Sequence, residues 1–209
     1  MIVGLEGVSC VGKTSLATAL AARCPGTAVV DCYYHTAPDP GRLPRPDSPT
    51  AYEQMSNLLM LLQLETVRRD RALNAQRQGH LVILDRTVDT LLAHAHAIGR
   101  LRGFDCDTAA RALVLQHPIV VPDVTLLLRA SPGVLAERAA RRRGMPQILY
   151  HPEFTEHFNG YFHSPMAPLC MPLDATAPLD DLAEQAMAAI GGARPAASTL
   201  NGHSGSGRP

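Results

Sequence analysis

Gly7-Val8-Ser9-Cys10-Val11-Gly12-Lys13-Thr14 is the stretch that decides the fold. It fits Gly-x-x-x-x-Gly-Lys-[Ser/Thr], a pattern that carries meaning only between a strand and a helix. Both flanks are present. Met1-Ile2-Val3-Gly4-Leu5 predicts a short buried strand, and Ser15 to Ala22 (SLATALAA) predicts a helix. Glycines let the backbone turn tightly and aim several N–H groups inward at a phosphate chain. The helix adds its positive N-terminal end at the same point. In such a loop the backbone of Gly7, Val8, Ser9, Cys10, Val11 and Gly12, with Ser15 opening the helix, forms the cradle. Lys13 reaches the β- and γ-phosphates as a point charge, and the Thr14 hydroxyl takes a place on Mg²⁺. A Gly-rich turn that binds nothing is the bland alternative, and the complete pattern with both flanks weighs against it.

Outward from the loop, strands and helices alternate. Thr27-Ala28-Val29-Val30-Asp31 predicts a second strand ending in a carboxylate. Thr36 to Pro49 then holds five prolines, which excludes helix and central strand. A loop of that length is often functional. Ala51 to Gln78 turns helical, with Leu58, Leu59, Leu61, Leu62, Leu64, Val67 and Leu73 as its apolar part and Gly79 as its stop. Leu81 to Asp85 is a continuous apolar run closed by Asp, the pattern of a parallel strand covered on both faces. Helices follow over Val88–Arg100 and Asp105–Gln116, then a strand over Val124–Arg129. Ser131-Pro132 supplies an N-cap and a first-turn proline for a helix running to Arg143. Glu153–Phe162 is helical, Cys170–Asp174 is a weaker strand whose Pro172 places it at an edge or near a strand end, and Leu179–Ile190 is a final amphipathic helix. The alternation predicts a doubly wound α/β domain over 1–190, with ligands at the carboxyl ends of the strands. Residues 191–209 are Gly-, Ser- and Pro-rich and predict a disordered tail.

Bulk composition narrows the partners. The 209 residues are 46% hydrophobic and carry 19 basic and 19 acidic side chains, so no basic field argues for nucleic acid. Five cysteines form no Cys-x-x-Cys pair, which points to reduced thiols and a cytoplasmic protein. No apolar run precedes the first strand, so neither a signal peptide nor a membrane span is expected. Cys10 is an oxidation-sensitive thiol or simply a small residue that fits the loop.

Several side chains outside the loop can carry chemistry. Asp85 stands in the Walker-B type of position, where a carboxylate meets Mg²⁺, and Arg86 beside it points into the acceptor site. Asp31 serves as a general base if the acceptor is a hydroxyl, or binds a sugar hydroxyl or the metal's water if the acceptor is a phosphate; a loop-starting Asp with a turn role is the bland alternative. Tyr34 lies in the same post-strand stretch and is a further candidate for the acceptor. Arg138, Arg141, Arg142 and Arg143 run into Gly144 and suit a lid supplying transition-state charge, with Arg138 and Arg142 as catalytic candidates. Basic residues that complement a helix C-terminus are the alternative. On the long helix, Gln63 and Arg68 or Arg69 are placed to face one cleft, the Gln reading a base edge and the Arg holding a phosphate. A solvated polar face explains each of them equally well. His94 and His96 fall on different helix faces and are expected to be structural.

In this order, GLEGVSCVGKTSLA, VILDRTVDTLLAHAHAIG, PDVTLLLRASPGVLAERAARRRG and LDATAPLDDLAEQAMAAI resemble the thymidylate kinase and deoxynucleoside kinase branch of the P-loop kinases. The resemblance spans most of residues 1–190. It implies a P-loop NTPase fold, α/β, with a five-stranded parallel sheet, helices on both faces and an arginine-rich lid. It implies ATP and Mg²⁺ as donor complex and a nucleoside or nucleoside monophosphate as small-molecule acceptor. Asp85-Arg86 falls on the family's Asp/Glu-Arg motif, and Asp174 to Pro178 on the loop that touches the adenine of ATP. The chain departs from the pattern at Thr87, where thymidylate kinases carry an aromatic residue. It departs again at Asp31-Cys32-Tyr33, where they carry Arg-Glu-Pro, and deoxynucleoside kinases carry Glu at both the Asp31 and the Asp85 positions. The Pro-rich loop matches neither. Two other readings stay open: a kinase of another hydroxyl compound, such as an antibiotic or biosynthetic intermediate, and a nucleotide-dependent switch protein. No guanine-reading Asn-Lys-x-Asp is present. The leucine-rich helix leaves a homodimer open.

Overall fold

A computed structural model describes residues 1–142 and 146–193. Five strands form one parallel sheet: β1 (Ile2–Glu6), β2 (Thr27–Val30), β3 (Leu81–Asp85), β4 (Val124–Arg129) and β5 (Cys170–Asp174). Their order is β2-β3-β1-β4-β5. The chain therefore leaves β1 toward one side of the sheet and later returns to its other side. The reversal leaves a crevice at the carboxyl end of β1, where ligands of such sheets bind. Register sets Leu5 of β1 beside Asp85 of β3, so the phosphate loop and the Asp85-Arg86 pair leave the sheet as neighbours.

β1 and β3 are buried along their whole length, as their apolar runs require. Ile2, Val82, Leu84 and Val30 face Ala72 of α3 (Ala51–Arg77) on one side of the sheet. Val3, Leu5, Ile83 and Leu126 face α1 (Lys13–Arg23) and α8 (Leu179–Ala193) on the other. Each such aliphatic side chain contributes about 1.5–3 kcal/mol on burial. Between α1 and α3 lies the short α2 (Tyr33–Thr36); after β3 come α4 (Val88–Arg102), α5 (Asp107–Leu115), α6 (Pro132–Ala140) and α7 (Pro152–Tyr161). Five parallel strands with helices on both faces, and Pro172 on an edge strand, agree with the expected architecture.

Boundaries differ where caps decide them. Gly103, at φ 75, ends α4 two residues beyond Arg100. Thr50 caps α3 by accepting from Glu53 N at 3.2 Å. Ser131 caps α6 as its sequence predicts, but the helix stops at Ala140, and Arg143 lies outside the described residues. α8 continues through Gly191 and Gly192 to Ala193; the rest of the expected tail, 194–209, lies outside the described residues. The Pro-rich segment contains a 3-10 turn at Pro40–Arg42 and is tied down at its far end. Arg102 of α4 donates to both oxygens of Asp47, at 2.7 Å to Oδ2, and Asn57 of α3 donates to Ser48 Oγ at 2.9 Å. No helix among the described residues is long and apolar enough to cross a membrane.

Candidate active site

The phosphate loop curls because three of its positions, Gly7, Cys10 and Gly12, take positive φ. Gly7 has φ +131, and a Cβ there would meet Leu128 O at 2.5 Å, so only glycine fits. Gly12 has φ +112 and starts α1; Cys10 between them has φ 64, uncommon for a residue with a side chain. Lys13 is buried, and its ammonium donates to Gly7 O at 2.7 Å and Val8 O at 2.8 Å. The lysine thus lies folded against the loop's own carbonyls. Burial, with the charge of Arg86, pulls its pKa down to about 7 against the opposing pull of Asp85 and Glu6.

The two candidate metal ligands meet. Thr14 Oγ1 donates to Asp85 Oδ2 at 2.6 Å, while Asp85 Oδ1 is buried with no partner. A hydroxyl and a carboxylate with a spare oxygen, at the edge of a phosphate cradle, suit Mg²⁺, which takes one or two protein oxygens and completes its shell with phosphates and water.

Arg86 is held in the left-handed region at φ 70. Its N–H donates to Leu5 O at 3.0 Å, and its Nη2 lies 3.5 Å from Ser9 Oγ of the phosphate loop. Behind it, the wholly buried Glu6 accepts from Thr87 N and Thr87 Oγ1, each at 2.7 Å, from Thr90 N at 3.1 Å, and from Thr90 Oγ1.

The acceptor side corrects the sequence reading of α3. Arg68 does not reach a substrate phosphate: it is fully buried. Its Nη1 pairs with Glu65 Oε2 at 2.7 Å, its Nε donates to Asp31 O at 2.8 Å, and its Nη2 donates to Asp85 O at 3.1 Å and to Arg86 O. The guanidinium also lies 4.2 Å from the Tyr33 ring centroid, and Tyr33 Oη donates to Glu65 Oε2 at 2.8 Å. Arg68 therefore pins the ends of β2 and β3 together. Gln63 shares no cleft with it, because Gln63 is exposed and one residue round the helix from buried Leu62. Arg69 pairs with Asp70 at 3.0 Å on the surface. The missed cue was periodicity: Gln54, Leu58, Leu62, Glu65, Arg68 and Ala72 form one buried stripe at helical spacing. On that stripe Gln54 Oε1 is buried without a partner, a polar group that the sequence reading passed over.

Asp31 follows β2, which ends one residue earlier than its sequence predicts, and its carboxylate is exposed; its carbonyl is the atom that Arg68 and Thr36 bind. Tyr34 is 58% exposed, edge-on to His35. His96 pairs with Asp107 at 2.7 Å. His94 is enclosed beside the Phe154 ring with Nε2 unpartnered, and burial lowers its pKa to about 4.

On the donor side, Arg138 Nη1 donates to Val11 O at 2.9 Å and Nη2 to Ala175 O at 2.8 Å, so it clamps the phosphate loop to the turn after β5. Arg141 pairs with Glu137. Arg138, Arg141 and Arg142 line a cavity of about 370 Å³ with Gly12, Ser15 and Ala175. Asp174 is not part of its wall. Its Oδ1 accepts from Thr176 N at 2.9 Å and Thr176 Oγ1 at 2.7 Å, which shapes the turn that brings Ala175 and Ala177 to the cavity.

No family model matches the chain, and no curated protein matches its sequence. Solved structures do. A deoxyadenosine kinase from M. mycoides, with products dCMP and a flexible dCDP bound, superposes with a TM-score of 0.67 at 12% identity, over 92% of this chain and 100% of that one. A thymidylate kinase from Candida albicans gives 0.66 at 17% identity, over 91% of each chain. One from Ehrlichia chaffeensis gives 0.58 at 15% identity, over 91% of this chain and 98% of that one. Over nearly its whole length the chain thus has the fold shared by deoxynucleoside and thymidylate kinases.

Proposed function

We propose that the chain is an ATP-dependent phosphotransferase acting with Mg²⁺ on a nucleoside or nucleoside monophosphate, and that a nucleoside hydroxyl is the better acceptor. The contact between Thr14 and Asp85 at 2.6 Å, beside a spare buried Asp85 oxygen, carries the reading. It joins the phosphate loop to a second carboxylate-bearing strand end, as phosphoryl transfer needs and simple phosphate binding does not. When bound, Mg²⁺ would neutralise charge on the β- and γ-phosphates.

The chain's own residues supply the rest. Lys13 turns from the carbonyls of Gly7 and Val8 to triphosphate oxygens, and the loop's N–H groups hold the same chain of phosphates. Arg86 faces the developing charge from the Ser9 side. Asp31 takes the proton of the acceptor hydroxyl as its oxygen bonds to the γ-phosphorus, and the bond to ADP breaks with its electron pair leaving on ADP. Preference for a hydroxyl over a phosphate follows from Arg68. Its donors are committed to Glu65 and to backbone carbonyls, while the exposed carboxylate of Asp31 would repel an acceptor phosphate. The unpartnered, buried Oε1 of Gln54 on the inner face of α3 makes it the candidate for reading a base edge.

A panel of nucleosides, their monophosphates and other alcohols, assayed for ATP-dependent ADP release and for phosphorylated product, tests this. Transfer to a nucleoside is expected, with Lys13→Ala losing about 10²–10³-fold in kcat. Transfer to other alcohols alone moves the acceptor class. Slow hydrolysis that no acceptor stimulates overturns the reading in favour of a switch protein.

A further inference from the structure

Arg86 occupies a backbone region that costs a residue with a side chain on the order of 1–3 kcal/mol unless its surroundings over-determine it. Those surroundings are visible on every side. Leu5 O takes its N–H, Arg68 takes its carbonyl, and the next residue, Thr87, is gripped by Glu6 through both N–H and hydroxyl. Glu6 is the last residue of β1 and abuts Gly7, the first residue of the phosphate loop. Its grip on Thr90 extends into the first turn of α4, so one buried carboxylate fixes the start of that helix against the loop. The fit is close: a Cβ on Gly4, two residues before Glu6, would lie 2.5 Å from Thr87 Cγ2. A helix cap needs one acceptor on one N–H. Glu6 receives two N–H and two O–H donors, from the residue after Arg86 and from the turn beyond.

We propose that Glu6 is a positioning residue for Arg86, holding it in the left-handed conformation that turns its guanidinium toward Ser9 of the phosphate loop. Glu6 acts through Thr87 and Thr90 and touches no substrate. The burial of its carboxylate raises its pKa, and the Thr90 and Thr87 hydroxyls and the charge of Arg86 oppose that rise. The kinetic part of the inference rests on the phosphotransferase reading; the conformational part rests on the backbone geometry alone.

The test is a double-mutant cycle with Glu6→Gln and Arg86→Ala, read by kcat and KM for ATP, with melting temperatures confirming folded protein. Glutamine keeps the volume, but its Nε2 donates where Glu6 accepts, so the Thr90 hydroxyl must turn round, and the neutral amide oxygen holds the Thr87 and Thr90 N–H groups more weakly than a carboxylate does. Glu6→Gln is expected to lower kcat about 10²-fold, the loss from a misplacement near 1 Å. The KM for ATP should change less than about twofold, since removing an interaction made only in the transition state leaves ground-state binding in place. In the Arg86→Ala background Glu6→Gln should do nothing more to kcat, because a residue acting only through Arg86 has nothing left to position. Losses that multiply across the cycle overturn the proposal. Should Glu6→Gln fail to fold, Thr90→Val removes one donor at nearly constant volume; a fall in kcat without a change in KM for ATP supports the proposal, and no fall overturns it. Nitrogen relaxation of the Arg86 side-chain Nε–H needs no activity. Ordering in the parent chain and loss of order in the Glu6 or Thr90 variant is expected, and equal order in both sinks the proposal. A parent chain that transfers phosphate to nothing would sink the phosphotransferase reading and leave this last measurement to judge Glu6.

Discussion

On the proposed reading, the donor and acceptor sides of the cleft are built in opposite ways. On the donor side one contiguous octapeptide would supply backbone N–H groups, the lysine and the Thr14 hydroxyl, and its conformation follows from Gly7 and Gly12. On the acceptor side the groups come from the end of β2, from β3 and from the inner stripe of α3, and buried pairs hold them together. Arginines show the contrast best. Arg138 and Arg68 both grip main-chain carbonyls, yet Arg138 also lines the cavity beside the phosphate loop while Arg68 is wholly enclosed. Charge type alone does not identify a ligand-binding arginine; its place on the helix does.

Breaking the acceptor framework should have the largest effect. Arg68→Ala strips the buried Glu65 carboxylate of its partner at 2.7 Å and frees the carbonyls of Asp31, Asp85 and Arg86. Removing one partner of a buried pair costs about 3–5 kcal/mol. Gln63→Ala, on the exposed face, should stay within about 0.5 kcal/mol and leave the KM for acceptor unchanged. Chemical denaturation with steady-state kinetics checks both. If Arg68→Ala kept full stability and raised only the acceptor KM, the buried-pin account would fail and Arg68 would return to the substrate.

That pair of variants also marks how much of the molecule could be read in advance. The alternation of strands and helices was legible because parallel strands buried on both faces are unbroken apolar runs, as in β3. The phosphate loop and Asp85 were legible because their chemistry is local in sequence. Arg68 was misassigned because a buried Glu–Arg pair at i, i+3 looks like a solvated one until the stripe is followed through Leu58 and Leu62. In the Asp174–Pro178 loop, Ala175 and Ala177 line the cavity while Asp174 bonds Thr176 and shapes the turn, a division of labour that no sequence pattern announces. The partners of Glu6 lie more than eighty residues away, and no periodicity announces them.

Lysine titration should divide the two sides by pH. Lys13 in the free protein has a pKa near 7 against an ordinary 10.5, so the unfolded chain holds more protons between those values. Its contribution to stability is therefore smallest below about pH 7 and grows as pH rises toward 10.5. Triphosphate binding favours the ammonium and takes up a proton in that window, so nucleotide affinity should fall by up to about tenfold per pH unit above 7. In this reading the acceptor does not touch Lys13, so acceptor affinity should not follow the same profile. Titration calorimetry in buffers of different ionisation enthalpy reads the proton uptake directly; none at pH 8 would contradict the buried, depressed lysine.

The smallest effect is expected where the Pro-rich segment is latched. Asp47 and Arg102 are each a little over 40% exposed, and pairs of that kind contribute about 0.2–1 kcal/mol. Asp47→Asn should therefore lower the melting temperature by only a few degrees. Its functional effect should nonetheless be directional. The segment begins beyond Asp31, and Asp47 reaches α4 close to the enclosed His94, far along the chain from the phosphate loop. Loosening it should raise the KM for acceptor up to about fivefold, the range that 1 kcal/mol allows, and leave the KM for ATP unchanged. If both constants rose together, the segment would be part of a single closing cleft, and the division into a preformed donor side and an assembled acceptor side would be wrong.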